Sequence, residues 1–285
     1  MIHVIIPTFN RLNYTIICLN SLKRQVNSKE LNIIVVDDAS TDGTKEYIKK
    51  NFPKITILRG TGSLFWGGAV HYGVDYALKI GRPKDWILLV NNDVELSLDA
   101  ISNLISVAKK EKRKALVGSL TVNANDRETI IKSGTVVESW FFNKTKHIFE
   151  GKKLSKILIK NSLKVDFLTG RCLLHPIEIF EKVNNYDTTR LHHYGADDEF
   201  SMRVKKYGYS TLLCPSSIIF LRNNKFDLYK KKNVKSFFNH FFSVRSSSNI
   251  INKFHLTIKV VPFYAKITFF FIGILKSVYI YFFKK

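Results

Sequence analysis

The feature that most constrains this chain is a pattern repeated through its first third: a short apolar run that stops abruptly in polar side chains. "VIIPTFN" (Val4–Asn10), "IIVVDDASTDGT" (Ile33–Thr44) and "WILLVNNDVEL" (Trp86–Leu96) all end this way. Amphipathic stretches of helical period lie between them, and that alternation reads as βαβ units building a largely parallel sheet. Strands are expected at His3–Pro7, Ile33–Asp37, Ile55–Leu58, Trp86–Val90 and Ala115–Leu120. Helices are expected near Tyr14–Gln25, Asp42–Lys50, Gly68–Ile80 and Leu98–Lys110, the last with Ser97 as its N-cap. Ligands of open α/β sheets bind beyond the carboxyl ends of the strands, so these polar endings are where a site should form.

The chain has 285 residues, 45% of them hydrophobic, enough for one large domain or a domain with an appendage. Its formal charge of +22 implies an anionic partner: a nucleoside diphosphate, nucleic acid or an inner membrane leaflet. Lysine enrichment by coding bias, spread over a solvated surface, is the alternative. The three cysteines, Cys18, Cys172 and Cys214, are an odd number without any CxxC. They argue against a disulfide framework or a zinc site and for a reducing cytoplasm. "MIHVIIPTFN" enters an apolar run at its second residue, so no signal peptide is expected.

Between about Ala124 and Lys164 the alternation is hairpin-like, with glycines at the turns. "VDFLTGRCLLHPIEIFEKV" then reads as strand, glycine turn, strand and a helix with Pro176 at its first position. "YGADDEFSMRVKKYGYS" reads as a helix ending near Gly208, followed by a strand at Thr211–Leu213. The expected division is 1–225, with a nucleotide half at about 1–120 and an acceptor half at about 121–225, and a C-terminal helical segment at 226–285. In that last segment Asp227 is the only acid, while aromatics and lysine dominate. Lys266 and Lys276 interrupt its apolar end, which favours a helix lying in a membrane interface. A transmembrane span and a cap packed on the protein's own core are the other possibilities.

Asp93 ends a buried strand. One such carboxylate can hold a magnesium or manganese ion if substrate phosphates and water complete the shell. Asn91 and Asn92 could then bond a sugar or ribose without adding negative charge beside a phosphate. Asp37 and Asp38 also fit plain turn and cap chemistry. "RGTGSLFWGGAVHYG" is a glycine-rich turn entering a helix, whose N-terminus favours phosphate; glycines that let Phe65 and Trp66 pack beneath a loop explain it equally. GxGxxG and GxxxxGK[ST] are missing, which disfavours a dinucleotide fold and a P-loop. Asp197, Asp198 and Glu199 open a helix, as the macrodipole favours, or supply a general base. Asp197 and Glu199 diverge around a helix, so only one of them can face a site. His192 and His193 read as loop histidines.

Taken in order, these segments resemble the family 2 glycosyltransferases, inverting nucleotide-sugar enzymes of the GT-A fold, from about Ile2 to Phe220. "SLFWGGAVHYGVDYAL" and "GADDEF" look most like the rhamnosyltransferase branch, which builds bacterial surface polysaccharides. The resemblance implies that Pro7, Phe9 and Asp38 hold the nucleotide base with Asp37 nearby, and that Asn91 and Asn92 contact the donor. It makes Asp93 the ligand of a divalent metal, manganese or magnesium, and places Gly170 on the acceptor side. Asp197 matches the acid that deprotonates the acceptor hydroxyl, with Asp198 as a rival. Relatives commonly carry an acid at Asn91 or Asn92, and Glu-Asp where this chain has Ala196-Asp197.

The implied partners are a nucleotide-sugar donor, a glycan or lipid-linked acceptor and the cytoplasmic membrane surface, with no nucleic acid and a peripheral position on the inner leaflet. A non-catalytic basic protein that binds nucleic acid or anionic lipid, and a GT-A fold without activity, are the competing classes.

Overall fold

The computed structural model describes residues 1–26, 28–157, 161–222 and 233–283. The expected boundary at 225/226, and Asp227 with it, lies outside these residues.

The first half follows the anticipated pattern. Strands β1 (Ile2–Thr8), β2 (Leu31–Asp37), β3 (Thr56–Arg59) and β4 (Trp86–Val90) lie parallel in the order β3-β2-β1-β4. Helices α1 (Leu12–Lys23), α2 (Thr44–Asn51) and α3 (Phe65–Ile80) connect them. Period-two alternation sends Ile2, Val4 and Ile6 of β1 to one face with Cys18, Leu19 and Leu22 of α1. Ile5 faces the other way, onto Val70 and Val74 of α3. Both faces are buried, which is why these strands read as continuous apolar runs.

The second half is mixed. After the short β5 (Val94–Leu96) and α4 (Ala100–Lys110) come β6 (Ala115–Asn123), the hairpin β7 (Thr135–Ser139) and β8 (Lys144–His147), β9 (Leu163–Lys164) and β10 (Cys172–Pro176). Helices α5 (Ile179–Val183) and α6 (Ala196–Lys206) precede β11 (Ser210–Leu221). The sheet continues β4-β10-β6-β11-β5, with β10 antiparallel to both β4 and β6. Because β10 runs against β4, its start pairs with the end of β4, Cys172 opposite Val90. The Gly170 turn is thereby brought beside Asn91.

Three local expectations are corrected. Helix α4 begins at Ala100 after Asp99, and Ser97 instead sits on the strand edge, its N–H donating to Ile218 O at 3.0 Å. Pro176 closes β10, two residues before the Glu178 N-cap of α5. The Thr211–Leu213 strand extends over Ser210–Leu221, because an irregularity between Cys214 and Ile218 absorbs Pro215 and lets pairing resume. The three cysteines are free and buried.

Helices α7 (Val234–Phe242), α8 (Ile250–Val260) and α9 (Lys266–Phe283) form the C-terminal segment. It packs on α6: Lys206 Nζ donates to Lys259 O at 3.3 Å, and Lys259 pairs with Asp187. Phe263–Phe283 is long and apolar enough to cross a membrane, and only 17% of its most apolar window is buried.

Candidate active site

The strand ends converge as the sheet logic requires, and the side chains there are heavily cross-linked. Asp37 is fully buried; one oxygen accepts from Ser40 N at 3.0 Å and the other pairs with Arg59. The Asp38 carboxylate collects three amides of the glycine-rich turn, Gly62 N at 2.7 Å, Leu64 N at 2.9 Å and Phe65 N at 3.3 Å. These two acids, expected at the nucleotide base, hold Arg59 and the turn that leads into α3. Pro7 is buried in β1, and Phe9 stands exposed at the rim.

Asn92, expected at the donor, turns inward. Its Nδ2 donates to Thr8 Oγ1 at 2.9 Å and Thr15 Oγ1 at 3.2 Å, locking β4 to β1 and α1. Asn91 bridges α3 and the Gly170 turn: its Oδ1 accepts from Trp66 Nε1 at 2.8 Å, and its N–H donates to Arg171 O at 2.9 Å.

Asp93 has two unlike oxygens. Arg11 Nη1 reaches Oδ2 at 3.1 Å, whereas Oδ1 is buried without any hydrogen-bond partner. A buried, unpartnered carboxylate oxygen is costly, and a cation is a natural complement to it. Among the described residues there is no group of three or more His, Cys, Asp or Glu side chains able to hold a metal. The donor set therefore fits an ion bound by one protein carboxylate and completed by diphosphate and water. Beside it Glu95 draws in Arg222 at 3.0 Å, Arg24 at 3.4 Å and Arg127 at 3.5 Å, leaving this rim of the sheet strongly positive.

The acid triplet of α6 is resolved by direction. Glu199 is buried and turned away into an ion pair with Arg203 at 2.8 Å. Asp197 turns toward the Gly170 turn: its Oδ2 accepts from Gly170 N at 3.2 Å and its Oδ1 from Asp198 N at 3.1 Å. Desolvation raises the Asp197 pKa, against the opposing pull of those amides and Arg171. Desolvation, then the neighbouring Asp197 charge, pushes Asp198 up to about 8. Two adjacent carboxyls in such a setting titrate as a pair.

Trp66, assigned no role by the sequence, sits at the centre of these groups. Beyond its bond to Asn91, its backbone N–H donates to His193 Nδ1 at 3.3 Å, and its ring lies against Gly170. The tryptophan-glycine-glycine step in "SLFWGG" was the available signal, because Gly67 has no space for a side chain, with His192 O 2.8 Å from where a Cβ would lie. Burial, then Arg245 and Arg11, lowers His193 to about 4 and keeps it neutral.

Comparison with known proteins decides the family. The sequence profile described as glycosyl transferase family 2 matches residues 3–167. The chain belongs to glycosyl transferase family 2. This family 2 chain is 24% identical over 206 residues to an N-acetylglucosaminyl-diphospho-decaprenol L-rhamnosyltransferase of Mycobacterium tuberculosis, covering 66% of each protein. It thus spans just under two thirds of that relative's length. It is also 28% identical over 123 residues to a poly(ribitol-phosphate) beta-glucosyltransferase of Bacillus spizizenii, covering 42% of this chain and 19% of the relative.

Among solved structures, GalNAc-T7 with UDP, GalNAc and Mn2+ superposes with a TM-score of 0.61 at 14% identity, over 83% of this chain and 47% of that one. The mannosyltransferase PcManGT of Pyrobaculum calidifontis, in complex with GDP-Man and Mn2+, gives 0.57 at 15% identity, over 99% and 70%. The family 2 chain has the GT-A fold, with a C-terminal helix beyond it.

Proposed function

We propose that this chain is an inverting glycosyltransferase that moves rhamnose or another hexose from a nucleoside-diphosphate donor to a hydroxyl of a glycan or lipid-linked acceptor. Cell-surface glycan synthesis is the setting. One observation carries the reading: Asn91 N–H to Arg171 O and Gly170 N–H to Asp197 Oδ2 tie the Asp93 strand end to the α6 carboxylate. A donor ligand and a proton acceptor are thus held on one rigid frame, as displacement at a single carbon requires.

In this mechanism Asp93 is the residue that would hold a divalent ion, and the positive rim around Glu95 favours the polyanionic donor. The ion, when bound, offsets charge developing on the departing diphosphate. Asp197 is the base: oriented by Gly170 N–H, it accepts the acceptor hydroxyl's proton as that oxygen attacks the anomeric carbon from the face opposite the leaving group. Its raised pKa brings it nearer to neutral, where a base is most effective. Asn91 positions Trp66 as one wall of the cleft. The name of the mycobacterial relative supports rhamnose and a diphospho-lipid acceptor, and the manganese-bound solved structures support the metal. A lipid-linked acceptor fits a peripheral position on the inner leaflet, with the lysines of the C-terminal segment toward anionic headgroups.

Thermal stabilisation of the purified protein by a panel of nucleoside diphosphates, each with and without manganese, tests the donor site. A rise in melting temperature with one nucleotide, dependent on manganese and lost in Asp93→Ala, is expected. If no nucleotide shifts the melting curve, the donor assignment is wrong.

A further inference from the structure

The turn between α7 and α8 is held by its own side chains. Ser246 Oγ donates to His240 O at 2.5 Å, and Asn249 Nδ2 donates to Phe242 O at 2.8 Å and Ser243 O at 3.1 Å. Ser246, Ser248 and Asn249 are buried, yet Arg245 just before them is exposed. Its guanidinium lies 5.9 Å from the centre of the Phe65 ring, at the start of α3. The Phe65 ring is in turn 6.2 Å from the His193 imidazole.

His193 Nδ1 accepts the Trp66 N–H, so that nitrogen carries no proton. The neutral ring must then be protonated at Nε2, which becomes a donor. The positive charge of Arg11 also bears on this imidazole, while its Nη1 reaches Asp93 Oδ2 at 3.1 Å. Among the described residues no carboxylate pairs with Arg245, so the group has a surplus of positive charge and donors beside one acid. Guanidinium groups recognise phosphate by forked hydrogen bonds, and several converging donors suit a ligand with more than one phosphoryl group.

We propose that Arg245, Arg11 and the Nε2–H of His193 form a diphosphate pocket at the mouth of the Asp93 site, so that the C-terminal segment completes the site. The proposal rests on the donor reading of Asp93 for its place in the reaction, but not for the binding itself. Two ligands carry the chemistry: the nucleoside diphosphate of the donor and the diphosphate of a lipid-linked acceptor.

Calorimetric titration of the full chain, wild type against Arg245→Ala and Arg245→Lys, separates them. The probes are inorganic pyrophosphate, UDP and dTDP, and neutral vesicles carrying a polyprenyl diphosphate. Arg245→Ala is expected to weaken pyrophosphate by about 10- to 100-fold, the range for one hydrogen bond to a charged group. Arg245→Lys should recover only part of this, since lysine keeps the charge and loses the fork. The melting temperature should be unchanged because Arg245 is exposed. Weakening of the nucleotide arm as well assigns the pocket to the donor; weakening of the vesicle arm alone assigns it to the acceptor.

If wild type binds pyrophosphate but no nucleotide, the donor reading fails while the pocket survives. Wild-type affinity in Arg245→Ala on every probe, or a wild-type protein that binds none of them, overturns the pocket.

Discussion

Gly170 has no room for a side chain because the Trp66 ring lies against it: a Cβ there would stand 2.2 Å from Trp66 Cζ2. Gly170, in the turn before β10, and Trp66, in the first turn of α3, therefore form one fitted joint, and the Gly170 N–H donates to Asp197. Gly170→Ala must displace the indole, pulling Nε1 from Asn91 and tilting the amide that faces Asp197. Overpacking of this kind costs about 1–3 kcal/mol, or about 2–12 °C at a few degrees per kcal/mol for a chain of this size. Turnover should fall by about tenfold or more, because a shift of about 1 Å in a reacting geometry is expensive. Trp66→Phe keeps a ring against Gly170 and removes only the bond to Asn91, so its melting temperature should stay closer to wild type than that of Gly170→Ala. A Gly170→Ala enzyme with unchanged kcat would show that the joint is not part of the machinery.

The acid pair of α6 sets a pH dependence of known sign. A carboxyl whose folded pKa is raised holds its proton in the native state at pH values where the unfolded chain has released it. Stability is therefore lost as pH climbs from the ordinary aspartate range of about 4 toward the folded value of about 8 for Asp198. Asp198→Asn removes that cost and should raise the melting temperature at the upper end of the window, with no gain at its lower end. Asp197→Asn should leave a folded protein that binds nucleotide and does not transfer sugar. Wild-type transfer should rise with pH above the ordinary aspartate range, as the proton-accepting form of Asp197, whose pKa burial raises, is populated. A flat stability difference between Asp198→Asn and wild type would show that the pair is not strained.

The parallel half of the sheet was legible because its strands are buried on both faces and its helices keep their period. The C-terminal half was not, since the strand at Cys172–Pro176 contains Pro176, which looks like a helix start, and β11 carries Pro215 inside it. Both prolines are tolerated for reasons of register that only pairing reveals. In the site, Asp93, Asp197 and Asp198 are legible in sequence as acids at element ends. Asn92, Asp37 and Asp38 showed the same polar chemistry in sequence, and only geometry turned them inward onto Thr8, Arg59 and the Gly62–Phe65 amides. Arg11 and Arg245 carried no local signal, and Trp66 only the glycines that follow it, because their roles depend on partners distant in the chain.

Asn92 offers a direct measure of that distinction. Its carboxamide is buried and bonded to Thr8 and Thr15, so Asn92→Ala leaves two hydroxyls without their donor. A loss of about 1–3 kcal/mol in chemical denaturation is expected. Nucleotide affinity in native buffer should change by less than about threefold, below the tenfold that 1.4 kcal/mol of lost contact would give. A large loss of affinity with little loss of stability would instead put Asn92 in contact with the donor.

Membrane contact can be tested on a surface that two separate segments build together. Helix α9 buries Gly273, Ser277 and Tyr281, a stripe at intervals of four, against the rest of the protein. Its other side exposes Ile267, Phe271, Leu275 and Tyr279, and Phe263 just before it is 92% exposed. The tip of the β7–β8 hairpin packs beside α9: Asn143 Nδ2 donates to Phe269 O at 2.9 Å, and the Trp140 and Phe269 rings are 5.8 Å apart. Phe141 and Phe142 at that tip are exposed as well. So large an apolar area fringed by lysine matches an anionic bilayer surface, with aromatics in the acyl boundary and cations at the headgroups. Sedimentation with vesicles rich in anionic lipid should recover the protein, and neutral vesicles should recover much less. Phe142→Ser and Phe271→Ser should each weaken partition by about tenfold, the worth of one buried aromatic. If both variants bind as wild type while a concentration-dependent oligomer dissociates, the face joins two copies of the chain and the membrane assignment fails.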